Sequence, residues 1–62
     1  MTISEQYAFL IMAQRYASAR GDANWVSNNI YLQTCDGRTL GEAVWNTLEF
    51  LYGAEVADQL QG

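Results

Sequence analysis

Four carboxylates, Glu42, Glu49, Glu55 and Asp58, crowd the last third of a 62-residue chain, and no basic residue lies among them. Carboxylates in such a group could serve acid–base catalysis, hold a metal, or present a negative surface to a basic partner. The first two roles need companions that this chain lacks. It has no histidine, no lysine and one cysteine, Cys35. That leaves no Ser-His-Asp triad, no Cys–His pair and no Schiff-base amine. Zinc sites need three or four Cys, His or carboxylate ligands, and a lone thiol is a poor start on one. With no histidine to pair with, Cys35 reads as a small, semi-buried residue. The glycines stand singly and form no phosphate-cradling loop. The expectation is a non-enzyme with no cofactor and no metal.

The negative-surface reading rests on how the charge is distributed. Residues 1–41 carry Glu5, Asp22 and Asp36 against Arg15, Arg20 and Arg38, which sums to zero. The whole net charge of −4 therefore belongs to residues 42–62. Glu42 and Glu49 are seven residues apart, which on a helix puts them on one face about 10.5 Å apart. Trp45 and Asn46 lie between or beside them. Such a strip can be a solvated face that keeps a half-hydrophobic protein soluble. It can also be a ligand for a basic groove of the kind that holds nucleic acid. Under the second reading the partner-binding residues are Glu42, Trp45, Glu49, Glu55 and Asp58. Three arginines in an acidic chain argue against direct binding to nucleic acid.

Elements must position these groups, and two helices announce themselves. Thr2-Ile3-Ser4-Glu5 and Thr39-Leu40-Gly41-Glu42 both fit the capping box, in which a threonine and a glutamate three residues on satisfy each other's backbone N–H. Gly21 and Gly53 are suited to ending those helices, which gives helices near 3–20 and 40–52. On the first, Ile3, Tyr7, Leu10, Ile11 and Ala17 form one apolar stripe. Phe9, Met12, Ala13 and Tyr16 form another on nearly the opposite side. Two stripes suggest a central helix wrapped by the rest of the chain, or a Phe9/Met12/Tyr16 face that meets a partner. On the second, Leu40, Val44, Thr47, Leu48 and Leu51 make the core stripe, widened by Ala43, Phe50 and Tyr52. Trp45 falls outside it. A short third helix follows from Ala54 to Leu60, packed through Val56 and Leu60.

The segment between the two long helices reads as a β-hairpin. Asp36-Gly37 is a hairpin turn signal, Ile30 to Thr34 favours strand, and Asn28-Asn29 offers a second turn. The competing helix would take Asp22 as its cap and run through Trp25, Val26, Asn29 and Ile30. The expected fold is thus α+β in a single domain spanning 1–62, with an all-α fold as the alternative. The longest apolar run, Tyr7 to Ala13, is seven residues, far short of a membrane span, and it follows no basic segment. A soluble, cytoplasmic protein is expected.

In size, acidity and capped compact helices the whole chain resembles the small phage-encoded anti-CRISPR proteins, which share no common motif. The resemblance implies a stoichiometric inhibitor that binds a CRISPR effector subunit, with a type I complex as one candidate, and occludes its DNA-reading surface. It also implies the host bacterial cytoplasm as the place of action. The other function class is a small homodimer, homo-oligomer or adaptor using the Phe9/Met12/Tyr16 stripe.

Overall fold

Thr2 and Thr39 open two helices by the same device. The Glu5 N–H donates to Thr2 Oγ1 at 3.1 Å, and the Thr2 N–H donates back to Glu5 Oε1 at 2.8 Å. Thr39 and Glu42 repeat the exchange at 3.2 and 3.1 Å. The computed structural model, which describes residues Met1–Gly62, places helix α1 at Ile3–Ala19 and helix α3 at Leu40–Tyr52 behind these caps. Between them lies α2, Ala23–Cys35, and α4, Ala54–Gln61, completes the chain.

Both capping glutamates titrate below the ordinary 4.5, chiefly through the backbone hydrogen bond from the cap threonine and then through the bond from its hydroxyl. A depressed folded-state pKa stabilises the fold above the unfolded value, and that contribution is lost as the pH falls through the folded value. The thermal midpoint is accordingly expected to hold steady above pH 4.5 and to drop below it. In a Glu5→Gln, Glu42→Gln variant, which keeps the acceptors without the charge, the drop should be shallower. A circular-dichroism melt at each pH reads this directly; equal slopes in parent and variant would refute it.

The hairpin does not form. The chain is 82% helical and contains no strand, so the fold is all-α. The Asp36-Gly37 turn signal was real, but it ends a helix. Gly37 sits at φ +93°, its N–H donates to the Thr34 carbonyl at 3.1 Å, and the Arg38 N–H reaches back to the Gln33 carbonyl at 3.2 Å. That is the Schellman closure, which needs the same positive φ that a type I′ turn does. Gly21 closes α1 in the same way, with bonds from Gly21 to Ser18 and from Asp22 to Ala17. Asn28 and Asn29, read as a second turn, lie mid-helix. Asparagines and β-branched residues cost a helix a few tenths of a kcal/mol each. Burying Val26 and Ile30, one turn apart on α2, is worth about 1.5–3 kcal/mol apiece and outweighs that cost.

Helix α3 packs against the other three helices, and so does α1, whereas α2 and α4 do not touch. The molecule is an α1–α3 pair with α2 on one side and α4 on the other. By burial the central helix is α3 rather than α1. Gly41, Ala43, Val44, Thr47 and Leu48 are all buried, against Phe9, Ala13 and Ala17 from α1. From α4, Ala57 is buried with Val56 and Leu60 half-buried beside it. Four of the nine buried hydrophobic residues are alanines, so a few larger side chains (Phe9, Val26, Ile30, Val44 and Leu48) carry most of the core.

Close approach of α1 and α3 depends on Gly41. Its N–H, one of the orphan donors of the first turn, donates to Gln6 Oε1 at 2.7 Å. A Cβ there would lie 3.1 Å from Met1 Sδ and 3.2 Å from Gln6 Cγ. At the other end of the pair, the Arg20 guanidinium stacks 4.4 Å from the Tyr16 ring, which meets Tyr52 edge-on at 4.9 Å. The Tyr52 hydroxyl donates to Asp22 Oδ2 at 2.7 Å. Burial, then that bond, pushes Tyr52 up to about 12. Asp22 therefore stands at the N-cap position of α2 without capping it, because its carboxylate serves α3 instead.

Candidate functional site

The outward arc of α3 carries Glu42, Asn46, Glu49 and Phe50, all exposed. On α4, Glu55 and Asp58 are exposed, three residues apart and thus on one side of that helix. All four carboxylates expected at the partner surface point away from the core. None is ion-paired, since the one salt bridge of the molecule joins Arg38 to Asp36 at 3.0 Å. Two of the four also have local roles. Glu42 completes the capping box of α3, and Glu55 lies in the first turn of α4, where the helix dipole favours negative charge. Glu49 and Asp58 have no such local partner among the hydrogen bonds of the chain.

Trp45 departs from expectation. It is half-buried and packs against the core, on the flank of α3 that faces Met1, Gln6 and Gln61. The exposed aromatic of α3 is Phe50, at 79%. Helical spacing groups it with the core stripe, whose other members are buried or half-buried. Trp25 of α2 lies parallel to the Phe50 ring, with centroids 6.2 Å apart. Tertiary packing created this pair, because the two residues are 25 positions apart and neither helix shows it alone. Beside it runs a seam of amides. Gln33 Nε2 donates to Thr47 Oγ1 at 3.1 Å, and Asn46 Nδ2 donates to Gln33 Oε1 at 3.2 Å. Thr47, the one buried polar side chain, also donates to the Ala43 carbonyl at 2.8 Å, so its hydroxyl is satisfied.

The Phe9/Met12/Tyr16 stripe is not a free surface. Phe9 is buried in the core and Tyr16 is half-buried between Arg20 and Tyr52, which leaves only Met12 exposed. Nor is α1 wrapped on both stripes: Leu10 and Ala17 of the first are covered, but Ile3, Tyr7 and Ile11 face outward. Cys35, expected semi-buried, is exposed. No three of the cysteine and carboxylate side chains converge as they would to hold a metal ion. No helix is long and apolar enough to cross a membrane. No protein-family model matches the chain, and no curated protein or solved structure is significantly similar to it.

Proposed function

We propose that this protein is a non-enzymatic inhibitor that binds a basic, nucleic-acid-reading protein surface, the role implied by its resemblance to the anti-CRISPR proteins. The foremost candidate partner is a subunit of a type I CRISPR effector complex. The observation that supports this reading is the outward placement of Glu42, Glu49, Glu55 and Asp58 on the successive helices α3 and α4, which carry no cation. On the partner, lysines and arginines that otherwise hold DNA phosphates would meet these carboxylates, so DNA and the inhibitor compete for one groove. Phe50, on the same exposed arc, takes the anchoring role that the sequence assigned to Trp45. Carboxylates at a rim speed encounter, whereas a desolvated aromatic slows dissociation.

The test is biolayer interferometry against a purified type I effector complex, with its target DNA as competitor. Prior loading with DNA should block binding. Glu42→Gln with Glu49→Gln should slow association about tenfold at low salt and flatten the salt dependence. Both substitutions leave the fold intact, because glutamine at position 42 also completes the capping box and the Glu49 side chain is exposed with no hydrogen-bond partner. Phe50→Ala should mainly speed dissociation. Simultaneous binding of DNA and protein, or unchanged kinetics in the double Gln variant, would reduce the acidic face to a device for solubility.

A further inference from the structure

Helix α1 turns an apolar ridge to solvent. Ile3, Tyr7 and Ile11 are spaced four residues apart and are 65%, 55% and 49% exposed, and Arg15 continues the same row. Ser4 and Ala8, also exposed, lie beside the ridge and leave room for a close neighbour, with exposed Met12 on the far edge. The i+4 row is the ridge that packs into the groove of another helix in the commonest mode of helix packing. In this molecule nothing covers it: the buried residues of α1 are Phe9, Ala13 and Ala17, on the other side.

We infer that this ridge is the interface of a two-fold homodimer, with α1 of one copy packed antiparallel against α1 of the other. Three observations select a second copy as the occupant. The first is charge. Arg15 is the only arginine with neither an ion pair nor an aromatic partner within the chain, and Glu5 lies at the opposite end of the same helix. A helix that is negative at its start and positive toward its end is complementary to itself after a two-fold rotation. With the axis near Phe9, Tyr7 of each copy falls opposite Ile11 of the other, and Arg15 falls beside Ile3 and Glu5 of the second copy.

The second is area. The exposed portions of these seven side chains set an upper bound on the order of 600 Å² per copy, or about 1,200 Å² across the pair, which reaches the ~1,000 Å² of a small specific contact only if most of it is covered. The third is what the competing patch would do. The Trp25–Phe50 pair adjoins Glu49 and lies on the arc with Glu42, so self-contact there would press like charges together. Association through α1 keeps the acidic faces apart. It would also present two of them at once, which joins this inference to the proposed function without depending on it.

Sedimentation equilibrium of the purified protein over a wide concentration range tests the proposal. A monomer–dimer equilibrium is expected. Ile11→Glu and Tyr7→Glu should each raise the dimer dissociation constant at least tenfold, because each charge enters the interface twice. Arg15→Glu should raise it less, and more so at low salt than at high salt. Phe50→Glu should leave it unchanged. Circular dichroism confirms folding of each variant; all four positions are exposed, and Met12→Glu provides a second edge probe if one variant misfolds. A monomer at every concentration, a trimer or open polymer, or loss of association in Phe50→Glu would each overturn the α1 interface.

Discussion

Leu48→Ala is expected to unfold most of the population at room temperature. Leu48 is fully buried at the middle of α3, the helix that contributes most to the core. Truncating a buried leucine to alanine costs about 2–5 kcal/mol, since the lost transfer energy is joined by the cavity left behind. A domain of this size holds only about 3–5 kcal/mol in total. The core also has little in reserve, because four of its nine hydrophobic members are already alanines. Leu10→Ala should cost less, because Leu10 is only half-buried at the edge of the cluster. Urea titration of the helical circular-dichroism signal separates the two. A Leu48→Ala variant that still melts cooperatively near the parent midpoint would show that the core lies elsewhere.

The second large effect is expected at Gly53. This single residue joins α3 to α4, and its φ of +95° with ψ of 160° is a combination essentially restricted to glycine. Its N–H donates to the Glu49 carbonyl at 3.0 Å, and its own carbonyl accepts from the Ala57 N–H at 3.2 Å, so one residue closes one helix and opens the next. A Cβ built at Gly53 meets nothing within 4 Å. The cost of a side chain is therefore backbone strain, about 1–3 kcal/mol, and not a clash. Gly53→Ala and Gly53→Val should be destabilising by similar amounts. They should release α4 first, which shows as faster amide exchange from Val56 to Leu60. A D-alanine at position 53, accessible by chemical synthesis, should restore parental stability because its mirror-image preference matches this backbone. Equal damage from D- and L-alanine would mean that space, not strain, selects glycine here.

Gly37 and Gly53 illustrate what could be read from the sequence and what could not. A lone glycine at the end of a patterned run marks a place where the chain needs positive φ, and both glycines adopt it. Whether that freedom ends a helix or turns a hairpin depends on the residues before it. For Ala23 to Cys35 the local preferences were nearly balanced between helix and strand. Val26 and Ile30 settled the matter through burial against α1 and α3, a contact that no local window contains. The same holds for the aromatic residues. Helical spacing placed Phe50 in the core and Trp45 in solvent, whereas packing reversed them: Met1, Gln6 and Gln61 cover the Trp45 flank, while only the Trp25 ring comes near Phe50, which stays 79% exposed.

The sequence by itself determined where α1 and α3 start and stop. Each capping box is built from residues three positions apart, and each glycine closure from bonds within about five residues. It determined as well that the negative charge lies in the last third, since that is arithmetic on the chain. Only the tertiary structure decided that the middle segment is a helix, that α1 buries Phe9 and exposes Ile3, Tyr7 and Ile11, and that Phe50 rather than Trp45 is the exposed aromatic of α3. The physical reason is one of range. A cap is satisfied by its neighbours along the chain, whereas the burial of a side chain depends on which other helix arrives to cover it.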